Sequence, residues 1–216
     1  DIAELDDEML PYTKEHFEKF FMDESSFEIK SSQVWYSDRK SYGPEEVGKS
    51  REMHQEQHGF ETLNGSGVVT GKLYGGCIES IYDAFTGASF EDEPLVYEKY
   101  NIFPTEDEWK EKILFLETSE EKPTPDTLKK YLKTLKQTGI FSVISGMIVG
   151  KSQNEVYYED YKNVYLKVID DETLPILYNV NFGHAYPRCA LPYGVNATVD
   201  LDEKIILLDE TYFQNS

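Results

Sequence analysis

Two side chains stand where chemistry could be done. Glu117 closes the apolar run Ile113-Leu114-Phe115-Leu116, and His184 lies in Asn179-Val180-Asn181-Phe182-Gly183-His184-Ala185-Tyr186-Pro187-Arg188. Each falls where a hydrophobic strand stops and the backbone turns, which is where α/β proteins build their sites. A carboxylate that orients an imidazole supplies two of the three groups of a hydrolytic triad. Phe182 and Tyr186 flank the Gly-His turn and keep the imidazole near aromatic surface, where its pKa can be tuned. Taken singly, His184 reads as a loop histidine bonded to backbone and Glu117 as a capping or surface acid. Their matching places at strand ends favour the functional pairing.

The third group is missing. A nucleophile elbow needs small residues around the serine at a strand-to-helix turn. Tyr36-Ser37-Asp38 follows bulky aromatics in a polar stretch, and Gly65-Ser66-Gly67 reads as a hairpin turn. Cys189, shortly after His184, offers a weak cysteine alternative. His54-Gln55-Glu56-Gln57-His58 places two histidines on one face if helical, but its acid is offset from the metalloprotease pattern, so a solvated polar helix is expected. No metal or cofactor is assigned. The chain begins without methionine, and the nucleophile is expected upstream of residue 1.

The elements that must position the pair follow from periodicity. Ile113–Leu116 reads as a buried strand. Thr124 caps a helix with Pro125 in its first turn, and Leu128, Leu132 and Leu135 form its apolar stripe up to Gly139. Met147–Val149 is a second strand, Tyr157 to Val168 a second helix, and Pro175–Tyr178 a third strand. Strand–helix–strand–helix–strand implies parallel strands with right-handed crossovers. Their carboxyl ends then share one edge, which brings Glu117 and His184 together although they are distant in sequence. Val195–Val199 and Lys204–Leu208 read as a closing antiparallel pair. Upstream, Asn64-Gly65 between Thr62-Leu63 and Val68–Tyr74 signals a hairpin, and Gly75-Gly76 precedes a helix at Ile78–Phe85. Those two glycines could free amides for an anion, though a packing or turn role is favoured. Gly87–Glu108 looks like an acidic surface insertion. Residues 1–58 form an irregular connector with one helix at Lys14–Phe21, whose apolar face is Phe17, Phe20 and Phe21. Ser31–His58 is expected to be a flexible connector or binding loop.

Composition narrows the classes. A net charge of -20 argues against a nucleic-acid surface or adhesion to anionic membrane, both of which need clustered Lys and Arg. Two cysteines are too few for a disulfide framework, so reduced thiols in a cytoplasmic protein are expected. No apolar run reaches the length of a membrane span.

Four segments, Gly71-Lys72-Leu73-Tyr74-Gly75-Gly76-Cys77, Lys112–Glu117, Gly146-Met147-Ile148-Val149-Gly150-Lys151 and Asn181-Phe182-Gly183-His184, resemble the L,D-carboxypeptidase family. That family includes muramoyl-tetrapeptide carboxypeptidases and microcin-immunity peptidases. The likeness runs from about Asp1 to Leu208, and the surroundings of Cys77 look more like the microcin-immunity branch. The resemblance implies a Ser-Glu-His serine peptidase, with the serine on an amino-terminal domain absent from this chain. Glu117 and His184 would then sit on a carboxyl-terminal swivelling β/β/α-type domain, here residues 59–216, with a parallel βαβαβ block and additional antiparallel strands. It also implies that Trp35 covers the substrate and that homodimers form.

The expected function is hydrolysis of the bond to a carboxyl-terminal residue of peptidoglycan-derived peptides, with this chain inactive alone. The alternatives are a microcin-immunity-type hydrolase of peptidyl or aminoacyl nucleotides, and a non-catalytic binding domain.

Overall fold

The computed structural model describes residues 8–21 and 26–208. Helix α1 (Pro11–Phe21) is followed by strands β1 (Phe27–Ile29), β2 (Val34–Tyr36), β3 (Met53–Gln55), β4 (Glu61–Asn64) and β5 (Val68–Cys77). Helices α2 (Ile78–Thr86), α3 (Glu93–Lys99) and α4 (Glu106–Trp109) precede β6 (Lys112–Glu117). Then come α5 (Pro125–Lys136), β7 (Gly146–Gly150), α6 (Tyr158–Ile169), β8 (Ile176–Val180), β9 (Asn196–Asp200) and β10 (Ile205–Leu208). The main sheet runs β1-β10-β9-β5-β6-β7-β8-β4. Strands β5, β6, β7 and β8 are mutually parallel, and the flanking pairs are antiparallel. The chain is thus a mixed α/β fold with the expected βαβαβ block, extended by β5 on one side.

Alternation along the strands divides the core. In β6, Leu114 and Leu116 join the helices in a cluster with Leu128, Leu132 and Tyr161. Ile113 and Phe115 point to the other face and join Ile148 and Leu177 with Ile29 of β1 and Ile206 of β10. A parallel sheet buried on both faces needs such continuous apolar strands. Thr124 accepts the amide of Thr127 and caps α5, as its sequence predicts.

Several expectations are corrected. The Asn64-Gly65 pair does not close a hairpin. Strand β4 pairs with β8 at one edge, while β5 lies between β9 and β6. The Asn64 amide donates instead to the carbonyls of Asp171 and Leu174, so it ties the turn to the start of β8. His54–His58 is not a helix, because His54 and Gln55 lie in β3. The Glu56 amide donates to Gln33 O, and Glu56 Oε1 accepts the amides of Gln57, His58 and Gly59, which turns the chain out of β3. Within the Ser31–His58 excursion, expected to be a flexible connector or binding loop, β2 and β3 pair and Arg39 and Arg51 are buried. In α1 the buried residue is His16, its ring tilted against that of Tyr12 with centroids 4.1 Å apart, and Phe21 is exposed. The expected Phe17, Phe20 and Phe21 face lines a cavity with Arg188 and Cys189. The Gly87–Glu108 segment carries α3 and most of α4, and its Phe103 ring packs on the buried Trp109 at 5.8 Å. The likeness expected at the start of the chain falls partly on residues 1–7, outside the described residues. Among the described residues no helix is long and apolar enough to cross a membrane.

Candidate functional site

Four parallel strands end at one edge. Cys77 and Glu117 are register partners at the ends of β5 and β6, and Gly150 and Val180 are partners at the ends of β7 and β8. The chain leaving β8 runs back over this edge. Asn181 holds that return, as its backbone carbonyl accepts the Cys189 amide at 2.7 Å and its side-chain oxygen accepts the Ser32 amide at 3.0 Å.

Glu117 and His184 meet there. The ring Nδ1 lies 2.8 Å from Glu117 Oε2 and 3.0 Å from Oε1, and the His184 amide donates to Oε2 at 3.2 Å. Glu117 is 5% exposed, so the acceptor is nearly dry while the ring stays open to solvent. Two glycines make the contact possible. A Cβ on Gly183 would fall 2.5 Å from Glu117 Cγ, and one on Gly150 would fall 2.7 Å from Glu117 Cβ. Gly183 also has φ +85°, a left-handed conformation that aims the next residue back at β6.

The hydrogen bond that the His184 ring donates to Glu117 raises the His184 pKa above its ordinary value. Partial burial opposes the rise, the charges of Glu117 and Glu120 add to it, and Arg188 subtracts. Glu120 Oε2 lies 3.1 Å from Nε2, so carboxylates face both ring nitrogens. Arg188 is held by its bond to Gly183 O at 2.9 Å and by the Tyr186 ring beneath it.

Trp35 is half-buried and its ring stacks on His54 at 4.0 Å. Its neighbour Tyr36 donates its amide to Tyr186 O at 3.0 Å, which tethers β2 to the His184 return. Lys151, 1% exposed at the end of β7, bonds Glu56 at 2.9 Å and fastens the same excursion from the other side. Trp35 is therefore carried on a segment docked against the edge that bears the pair.

The other candidates are placed elsewhere. Ser37 Oγ bonds His54 Nε2 at 2.7 Å within the two-stranded excursion. Cys189 is buried in the second core cluster, where burial pushes its thiol up to about 12. A buried, protonated thiol is no nucleophile. Gly75 serves close packing, because a Cβ there would overlap the Phe115 carbonyl of β6.

Sequence reasoning missed Cys77, Glu79 and Glu120. Cys77 Sγ, a Glu117 oxygen and a His184 nitrogen lie within 4.8 Å of one another, and Cys77 Sγ is 3.2 Å from Glu79 Oε2. The signal was available for Cys77, since a parallel neighbour of β6 must end at the same edge.

The architecture is that of an α/β domain presenting a carboxylate-oriented imidazole at the carboxyl ends of parallel strands. The LD-carboxypeptidase C-terminal domain family matches residues 70–199, and the chain belongs to that family. A crystal structure of an MccF-like protein from Streptococcus pneumoniae, in complex with AMP, superposes with a TM-score of 0.89 at 46% identity. That match covers 96% of this chain and 60% of the other. An MccF-like protein from Bacillus anthracis str. Ames shares the fold, with a TM-score of 0.73 at 24% identity, over 94% of this chain and 57% of its own. The microcin C7 self-immunity protein MccF of Escherichia coli is 24% identical over 186 residues, 82% of this chain and 47% of that protein. The chain spans between 29% and 47% of the length of three curated relatives.

Proposed function

We propose that this chain is the acid–base part of a serine hydrolase that cleaves a carboxyl-terminal acyl bond of a small peptide-like substrate. The observation that carries the reading is the 2.8 Å contact between His184 Nδ1 and the nearly buried Glu117. In that arrangement Glu117 fixes the tautomer with the proton on Nδ1, which leaves Nε2 to take the proton of an attacking hydroxyl. Among the described residues Nε2 faces the carboxylate of Glu120. The nucleophilic serine is assigned to a domain outside these 216 residues, in keeping with the 60% coverage of the Streptococcus pneumoniae relative. Glu120, 58% exposed, must swing aside for that serine to reach Nε2. Trp35 covers the substrate from the docked excursion.

The family assignment favours peptidoglycan-derived peptides, cleaved in the cytoplasm with release of the terminal residue. A second reading has its own support: the 46%-identical relative was crystallised with AMP, which favours peptidyl or aminoacyl nucleotides. In that case Trp35 supplies aromatic surface for a base.

The test is hydrolysis by this chain together with its nucleophile-bearing domain. A muramoyl tetrapeptide and an aspartyl sulfamoyl adenosine serve as competing substrates. Glu117→Gln should lower kcat by about 10⁴ on whichever is cleaved, the scale of losing the orienting carboxylate. Cleavage that survives Glu117→Gln and His184→Ala, or turnover by the 216 residues alone, would overturn the assignment.

A further inference from the structure

Carboxylates crowd the edge that holds the pair. Glu117 and Glu120 face the two ring nitrogens of His184, Arg188 lies nearby as an opposing charge, and Glu79 stands beside Cys77. Cys77 stands among them with its sulfur 3.2 Å from Glu79 Oε2, at a register position opposite Glu117. We infer that Cys77, Glu117 and His184 form a binding site for a thiophilic divalent cation, zinc above all, and that occupancy locks the acid–base pair.

The donor set matches zinc. A thiolate, an imidazole and a carboxylate bind it at about 2.3, 2.0 and 2.1 Å, so in a tetrahedron their donor atoms stand about 3.5 Å apart. Here the donors lie within 4.8 Å of one another, so side-chain rotations of about an ångström would close the site. Water, or Glu79 Oε2 beside the sulfur, completes the four.

A second observation points the same way. A metal-bound histidine nearly always donates its other ring N–H to a carboxylate, which fixes its orientation. Glu120 Oε2 stands 3.1 Å from Nε2 and can accept that proton when Nδ1 takes the metal. On binding, the Cys77 thiol proton passes to solvent. The neutral imidazole carries its remaining proton on Nε2, and Nδ1 exchanges its bond to Glu117 for one to the cation that Glu117 also holds. Nε2 then has no lone pair for a hydroxyl proton. This inhibitory consequence rests on the proposed function, whereas binding does not.

The two are therefore separable. Zn²⁺ titrated into the 216-residue chain by calorimetry should bind at one site, and Co²⁺ substitution should give a thiolate-to-metal charge-transfer band. Cys77→Ser should abolish the band and weaken Zn²⁺ by at least about a hundredfold. His184→Ala should weaken it comparably, and Cys189→Ser should leave both readouts intact. Circular dichroism melts of each variant confirm that the fold persists. The site is refuted if the band is absent, if it is lost with Cys189 rather than Cys77, or if Mg²⁺ binds as tightly as Zn²⁺. Zn²⁺ that binds as described yet leaves hydrolysis by the complete enzyme unchanged would overturn the lock but not the site.

Discussion

Replacing Lys151 with methionine tests how the Trp35 excursion is held. The ammonium sits 2.9 Å from Glu56 Oε2, 2.5 Å from Glu155 Oε1 and 3.2 Å from Asn179 Oδ1. Its side chain is 1% exposed and that of Glu56 is 6% exposed, so neither charge has water to fall back on. Methionine keeps most of the stem and removes only the charge, leaving two carboxylates without their cation. Breaking a buried pair in this way costs about 3–5 kcal/mol. For a domain of this size each kcal/mol lowers Tm by about 2–4 °C, so the loss should be about 6–20 °C.

The pH dependence has a defined sign. Burial raises the Glu56 pKa, but the Lys151 charge and hydrogen bond, with the amides of His58 and Gly59, outweigh it and leave the carboxyl below its ordinary value. A depressed carboxyl stabilises the fold above the unfolded pKa, and that contribution fades as pH falls through the folded pKa. The gap between wild type and Lys151→Met should therefore narrow on acidification. Adding Glu56→Gln should recover part of the loss, because fewer orphan charges remain buried. Thermal melts at neutral and acid pH, with limited proteolysis between Asp38 and Arg51, are the assays. A Tm change under about 2 °C at neutral pH, without faster cleavage, would refute the argument.

Two further outcomes follow from the site. Glu120→Gln removes one of the charges that raise the His184 pKa, and a general base must be neutral. The acid limb of the pH–rate profile of the complete enzyme, with a chelator present, should move to lower pH; an unmoved limb means Glu120 does not act on the ring. The same linkage makes the imidazolium's stabilisation complete below the unfolded histidine pKa and lost as pH rises through the raised folded one. Gly183→Ala should destabilise by at least about 2 kcal/mol in urea unfolding, combining left-handed strain with a Cβ driven into Glu117. Gly194→Ala is the control, since φ is +75° there but nothing lies within 4 Å of the added carbon. Equal losses at the two positions would show that the Glu117 contact is not tight.

The reading of the chain succeeded where local pattern and physical cause coincide. Apolar runs at β6, β7 and β8 alternate with helices whose stripes and caps are explicit, as at Thr124 and Leu128. Parallel pairing is then forced by connection length, and the meeting of Glu117 with His184 follows from it. It failed where a local signal was overruled by a distant partner. Asn64-Gly65 has the composition of a hairpin turn, but its side chain answers to Asp171 and Leu174. His54–His58 has helical spacing, but Gln33 draws it into a strand pair and Glu56 then caps the turn.

The order of strands and helices, the shared edge of the parallel strands and the two residues delivered there are all legible in the chain's local pattern. Hydrophobic period and helix caps act over a few residues, so they can be read from a few residues. Tertiary structure alone decided what surrounds the pair. The register that sets Cys77 opposite Glu117, the loop that carries Glu120 to Nε2 and the Lys151–Glu56 contact that docks Trp35 each join segments far apart in the chain. Charge and sulfur carry no period, and their partners are chosen only when the sheet has closed.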